Sequence, residues 1–428
     1  FPRRPLIAWI PSRGTLASGK EDEGAMITRP RFLGISEFGP NSIIYHEGRM
    51  YRVRKAKLNS AQDQVSVTAR LPTRTAKICP ECGHGHYDSS LERCVLCGAP
   101  LGPKTVVDNL YKIETVETSQ TERISINDEE RQKVGYDLQT MFEVKKSDVQ
   151  ESIVSCNGED FAILRYVSTA AITRVNFGWR RRKDKQIKGF NIDPLSGLWD
   201  KEGSGEDDDA RKPGKRPPQR IVPYVEDTKN ILIFKPNGTY YNEEIMPTLQ
   251  AALKRGIETY YELEESEIAA EPLPSSEKRN SILFYEASEG GAGALKHLTD
   301  DPHGLSRIAK QALQIMHYGE NGDDTEPNCV AACYDCLLSY YNQPEHALIN
   351  RRNKAVLEIL TALAAGEIVP RKDGSPTVTD AVFAGGQFKP DEYYKDERKV
   401  VFYHNPGEET VNYFEERGFL VQIKAGLS

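Results

Sequence analysis

The chain has 428 residues, 38% of them hydrophobic, and a formal net charge of −7. That length accommodates several domains with separate cores. No apolar run reaches the roughly 20 residues of a membrane-spanning helix, so a cytoplasmic chain with no membrane partner is expected. The acidic balance gives no global support for a nucleic-acid partner, and eight cysteines grouped at metal-ligand spacing argue for reduced thiols rather than a disulfide scaffold.

The opening Phe1-Pro-Arg-Arg-Pro-Leu-Ile7 has too short an apolar stretch for a secretory signal, and it lacks a methionine. The chain therefore reads as part of a longer product. Residues 1–74 are predicted to be β-rich. Leu6–Ile10 is a short apolar strand, and Ser42–His46 and Met50–Val53 flank the turn signal Glu47-Gly48. Residues 75–104 hold Cys79-Pro-Glu-Cys82-Gly83 and Cys94-Val-Leu-Cys97-Gly98. Two such thiolate pairs supply opposite edges of a tetrahedral Zn²⁺, with each glycine freeing the turn around the metal. A Cys₄ zinc ribbon is predicted there. Its closed shell suits bracing rather than catalysis.

Residues 105–240 are predicted to form a β-rich platform carrying a basic loop, with Phe161–Val167 and Ile231–Phe234 as strands. Arg174, Arg180, Arg181, Arg182, Lys183, Lys185 and Lys188 make one basic run, and Arg211, Lys212, Lys215, Arg216 and Arg220 another. Gly203–Asp209 between them reads as a loop. The rim is either a solvated hairpin end or a phosphate-contacting edge. In the second case Phe177 and Trp179 offer stacking faces beside the arginines, Trp179 either meeting an unpaired base or packing beneath them.

After residue 240 the pattern changes period. Met246, Leu249 and Leu253 predict a helix with Pro247 near its start and Gly256 as its stop, followed by a strand over 257–264. Ser281–Glu286 is a further strand. Helices are predicted through Leu295 and Leu298, over 304–317 and over 345–363. Residues 366–428 form a small α/β tail. The fold class is mixed α/β: a β-rich front half with a ribbon, then an α/β zinc-binding domain at 241–365, then the tail.

Several motifs bear on chemistry. Gly14 to Lys20 matches the spacing of a phosphate loop, but Glu21 stands where Ser or Thr would hold Mg²⁺, and Asp22 and Glu23 would repel a triphosphate. Asp128–Arg131 resembles an acidic box without a phosphate loop upstream. No ATPase is expected in this segment. Gly290, Gly291 and Gly293 lie between a strand and a helix, suiting either a phosphate at the helix N-terminus or close helix-on-strand packing. Cys329, Cys333 and Cys336 supply three sulfurs of a second zinc site. His346 is the expected fourth donor, with Cys156 a distant alternative that reads better as a small buried hydrophobe. His84 and His86 fall inside the ribbon loop as competing donors. His297, His303, His317 and His404 are expected at the surface or in packing. Asp391 with Lys395 and Glu397 resembles a metal-dependent nuclease hairpin, but the next strand lacks the carboxylate and lysine such a site needs.

Four runs carry a family likeness: Asn230–Phe234, Tyr261–Ile268, Phe284–Gly293, and Cys329 through Cys333 and Cys336 to Asn342. Together, over roughly residues 225 to 352, they resemble the MrfA-like zinc-binding domain, and Gly48–Val53 and Gly178–Arg182 fit the same helicases. The likeness implies a region C-terminal to a superfamily 2 helicase motor, similar to the large helicases of phage-defence systems of the DISARM and Druantia type. Many such domains place a fourth cysteine where Asn342 stands here. The tail resembles a nuclease-like fold without its catalytic pattern. The implied function is a non-catalytic, DNA-binding helicase region in phage defence or DNA repair. Zn²⁺ would occupy two sites, ATP would act only through an upstream motor, and DNA, that motor and defence-complex subunits would be partners. The alternative is a protein scaffold of a defence complex without direct DNA contact.

Overall fold

A computed structural model describes residues 4–12, 14–15, 21–22, 24–58, 70–123, 135–156, 158–200, 217–237, 244–288, 290–370, 383, 387–394, 398–402 and 405–423. Asp128–Arg131, Gly203–Asp209, the basic residues from Arg211 to Arg216, Glu23, Lys395, Glu397 and His404 lie outside them. Gly14–Thr15 pairs antiparallel with Glu21–Asp22, so the ends of the phosphate-loop lookalike form a β-hairpin. A phosphate loop needs a strand–loop–helix frame instead.

Two long strands, Glu159–Trp179 and Gln219–Pro236, form the spine. They pair antiparallel from Ala162 opposite Pro236 to Val175 opposite Tyr224. Because successive side chains point to opposite faces, one strand serves two cores. Ile231 and Ile233 enter one core, while Leu232 and Phe234 enter another on the far face. Between Val167 and Ala170 the register shifts, so that Ser168 and Thr169 oppose Asn230. The extra residue inverts the alternation of its strand. Val167, Ala170 and Ile172 consequently all stay in the first core. Beyond the bulge, Val175 and Phe177 join Val222 and Tyr224 in a third, smaller cluster.

The ribbon is continuous with this sheet. Arg74–Ile78 pairs with Val106–Lys112, which runs parallel to the spine through Leu110 opposite Val222. A separate five-stranded sheet contributes Leu6, Ala8, Ile10, Tyr51 and Val53 to the first core. The spine strand 219–236 also pairs with Arg279–Glu286, and Glu367–Pro370 closes the opposite edge. The large sheet therefore draws strands from several of the segments distinguished in the sequence.

Helices cover the second core. In chain order they are α1 (Arg31–Glu37), α2 (Met246–Tyr260), α3 (Ala294–Asp300), α4 (Gly304–Ile315), α5 (Lys354–Ala364) and α6 (Glu408–Glu416). Helix α1 lies with the first core instead, through Phe32 and Ile35. Gly256 does not stop α2, and the strand expected over 257–264 is absent: the helix runs to Tyr260. A Cβ on Gly256 would sit 2.7 Å from the carbonyl oxygen of Ile308, so glycine is there for close approach of α2 to α4. The helix expected over 345–363 splits into a short 3₁₀ turn, Gln343–Leu348, and α5. Asn353 caps α5 by accepting from the amides of Ala355 and Val356.

The tail places α6 beside a three-stranded sheet around Phe388, Phe402, Phe414 and Phe419. Arg93 of the ribbon donates to the carbonyl of Gly418 at 2.8 Å, tying the tail to it. Among the described residues, no helix is long and apolar enough to cross a membrane. Phe234 is 1% exposed in the second core. Phe234→Ala should lower unfolding free energy by about 3–5 kcal/mol in urea denaturation, the cost of a large buried cavity.

Candidate metal centres and basic rim

The ribbon brings its four cysteines together as the spacing predicts. Cys79 and Cys97 sulfurs lie 3.5 Å apart, and Cys82 and Cys94 sulfurs 3.6 Å apart. Tetrahedral Zn²⁺ with bonds of about 2.3 Å separates its sulfurs by about 3.8 Å, so the cage fits that ion. Each knuckle is closed by a glycine amide: Gly83 donates to the carbonyl of Cys79 at 3.0 Å and Gly98 to that of Cys94 at 2.9 Å. Both glycines are left-handed, at φ +78° and +72°. All four thiols are buried in the first core. Hydrogen bonds from Cys79, Cys82 and Cys97 pull the Cys94 thiol far below its ordinary value. Hydrogen bonding to Cys79, Cys94 and Cys97 pushes Cys82 well above it. Crowded sulfurs of this kind ionise together only around a cation.

The second centre also forms, but with a different fourth donor. His317, Cys329, Cys333 and Cys336 place their ligand atoms within 4.8 Å of one another. His317 Nε2 is 3.4 Å from Cys333 Sγ, which is 3.5 Å from Cys336 Sγ. Burial raises the Cys333 thiol, yet hydrogen bonds from His317, Cys336 and Cys329 outweigh it and hold it at about 7. Burial carries Cys336 to about 12. One shared cation removes the conflict. A Cys₃His set is a complete tetrahedral shell, so this centre, like the ribbon, suits structural zinc.

The expectation for His346 is corrected. Its Nε2 lies 2.9 Å from Asn342 Oδ1 and 3.0 Å from the carbonyl oxygen of Ser339. Asn342 in turn accepts from the amide of Ser339 and donates to the carbonyl of Leu337. Asn342 and His346 thus brace the turn after the third cysteine instead of reaching a metal. Cys156 stands apart from the cluster, buried in the second core as the small-hydrophobe reading expects.

His317 reaches the site because of how α4 ends. Its amide donates to the carbonyl of Gln314, and the amide of Tyr318 donates to that of Leu313. These are the paired bonds of a Schellman stop. His317 occupies the left-handed position at φ +64°. A non-glycine residue there costs of order 1 kcal/mol, which ligation of a metal would offset. Its sequence signal was a histidine at the last position of a predicted helix, twelve residues before Cys329.

Arg351, invisible to motif reading, holds the two sides of the centre together. Fully buried, it donates to the carbonyls of Cys329 at 2.7 Å and Met316 at 3.1 Å, and pairs with Asp324 at 2.8 Å. Those carbonyls belong to one ligand and to the neighbour of another.

At the glycine loop the helix amides are already occupied. Glu286, 1% exposed, accepts from the amides of Gly293 at 3.1 Å and Leu295 at 3.0 Å, and from Asn230 Nδ2 at 3.1 Å. An internal carboxylate fills the place where a phosphate would sit. A Cβ on Gly291 would lie 2.1 Å from Glu286 Oε2, so close packing governs the choice of glycine. Gly290, Gly291 and Gly293 all adopt positive φ.

On the rim, Arg180, Arg181, Lys183 and Lys185 are exposed. Lys185 Nζ donates to the carbonyl of Arg180 at 2.6 Å. Arg182 is tied down: it pairs with Asp137 at 2.7 Å and donates to the carbonyl of Trp179. Arg174 is likewise engaged, with Glu271 at 3.1 Å. Trp179 stacks on Tyr136 with centroids 4.6 Å apart, which supports the packing alternative for this ring. Phe177 is buried beneath the ammonium of Lys188.

Residues 249–337 match the family model of the MrfA Zn-binding domain, so the chain carries an MrfA-like zinc-binding region. All four donors of the second centre fall inside that span, and His346 falls outside it. No curated protein matches the chain. A crystal structure of the DUF1998 helicase MrfA bound to DNA is similar at a TM-score of 0.38 and 10% identity, over 85% of this chain and 34% of that one. The chain thus spans about a third of that protein's length.

His317→Ala should lower zinc content by one ion per chain in plasma mass spectrometry, while His346→Ala leaves the count unchanged. Glu286→Gln should destabilise the fold by about 1–3 kcal/mol in urea, because one of two carboxylate oxygens that each accept a backbone N–H becomes an NH₂ that cannot accept.

Proposed function

Starting from an MrfA-like zinc-binding region at residues 249–337, we propose that this chain is a non-catalytic, zinc-braced platform that works beside a DNA helicase motor. The observation that carries the reading is the second centre, a closed Cys₃His shell whose four donors lie in the matched span. A closed shell has no place for a reacting water. Its chemistry is therefore to hold backbone in position. ATP would be used by the motor, and phage defence or DNA repair is the setting that suits such a region.

Contact with DNA falls to the rim. Arg180, Arg181 and Lys183 project from the turn after the long strand, and Lys185 lies beside them. They would neutralise phosphates without reading sequence, which suits a platform following a motor along a strand. Arg182 and Trp179 take a supporting part: the Asp137 ion pair and the Tyr136 stack fix the turn that presents the exposed residues.

A second reading, a scaffold facing a protein partner, draws on one observation. Trp9 and Met26 oppose each other across two strands of the smaller sheet and remain 40% and 64% exposed. Under that reading the apolar pair, and not the basic turn, is the contact.

Titrating Arg180→Ala/Arg181→Ala/Lys183→Ala with duplex DNA at several salt concentrations separates the two. The DNA reading expects weaker binding, with the slope of log K against log[salt] shallower by about 0.9 for each lost phosphate contact. Unchanged affinity and slope would remove the rim from DNA binding.

A further inference from the structure

The ribbon's metal cage does not account for two histidines beside it. His84 and His86 are each 3% exposed, and their rings lie 4.5 Å apart. His84 Nδ1 and His86 Nε2 are buried without a hydrogen-bond partner. An unpaired buried nitrogen is costly, and two in adjoining rings ask for a shared explanation. A ring nitrogen of each histidine and the sulfur of Cys94 all lie within 4.8 Å of one another.

We propose that His84, His86 and Cys94 hold an additional Zn²⁺ next to the ribbon ion, with the Cys94 thiolate bridging the two metals.

Three independent features support the site. The first is the tautomer of His84. The backbone of Val144 meets its Nε2 twice, with the carbonyl oxygen at 3.1 Å and the amide donating to the ring nitrogen at 3.2 Å. In the tautomer that would bind a metal, Nε2–H donates to that carbonyl in place of the amide bond, and the lone pair lies on Nδ1, the atom without a partner. A metal-bound imidazole is characteristically oriented this way, its second nitrogen donating to a backbone carbonyl.

The second feature is charge. Four thiolates around one Zn²⁺ make a dianion, and all four cysteines here are buried. Burying uncompensated charge is expensive. Another Zn²⁺ carried by two neutral imidazoles brings the pair of centres to neutrality, whereas neutral imidazoles alone would leave the dianion in place.

The third feature is the ligand set itself. Imidazole and thiolate are the donors Zn²⁺ favours, and three protein donors leave one position for a further ligand. The short strand Gly85–His86, paired with Arg74–Ile78, fixes His86 over the cage. His84 is held against Phe142, with ring centroids 5.4 Å apart. Both donors are therefore carried on ordered backbone rather than on a loop tip.

The simpler alternative is that both rings donate N–H bonds to ribbon sulfurs. Metal counting on the full chain, loaded with zinc and freed of loosely held ion, distinguishes the two. The proposal expects three zincs per chain, and two in both His84→Gln and His86→Gln. Two in the wild type would overturn it. Because a buried substitution can disturb folding, the wild type should also be loaded with ¹¹³Cd and observed directly by NMR. The bridging thiolate predicts two cadmium resonances that split each other; two unsplit resonances and no third would overturn the site.

Discussion

The pairing of Glu159–Trp179 with Gln219–Pro236 is the constraint on which the molecule depends. One register, running from Ala162 opposite Pro236 to Val175 opposite Tyr224, decides which side chains meet which core. A slip of one residue would send Ile231 and Ile233 to the wrong face and Leu232 and Phe234 to the other. The bulge at Ser168 and Thr169 is such a slip, confined to one strand and placed where the far face changes from one core to another. It keeps Val167, Ala170 and Ile172 together while the far-face partners change from helices to the ribbon.

Each metal centre is set into a different core on that frame. The ribbon cysteines belong to the first core, and Cys329 and Cys336 to the second. Both centres occupy stretches where regular structure is sparse. Among the described residues, no helix or strand intervenes between Ile315 at the end of α4 and the turn at Gln343. A connection of that length has few backbone bonds of its own and needs another source of order. Here the order comes from Arg351, which gathers the carbonyls of Met316, Glu326 and Cys329, and a metal held by His317 and the three sulfurs would add to it. Ligation energy becomes folding energy in such a segment.

The ribbon was legible in the sequence because its geometry is local: each pair of sulfurs is fixed by a two-residue gap and a glycine. His317 was not, since its approach depends on a left-handed residue at the end of α4 turning the chain back toward a loop. Spacing along the sequence pointed forward from the cysteines to His346, whereas the donor lies behind them. Gly256 was misread for a related reason. Glycine after an apolar helical pattern signals a stop when seen alone, but tertiary contact with α4 makes it an interior residue. The glycine loop resolved toward packing because Glu286, four strand positions from Ile282, turns its carboxylate into the helix terminus. No periodicity records that. The strands, by contrast, were visible wherever apolar runs met turn residues, although their joining into one sheet across the ribbon was not.

The central claim is that two closed, sulfur-rich zinc shells brace this frame. Zinc K-edge X-ray absorption on the full chain examines it most directly. The account predicts a first shell dominated by sulfur at about 2.3 Å with a minor nitrogen contribution near 2.0 Å. A first shell dominated by oxygen or nitrogen would contradict it, because neither cysteine cluster would then be closing around the metal.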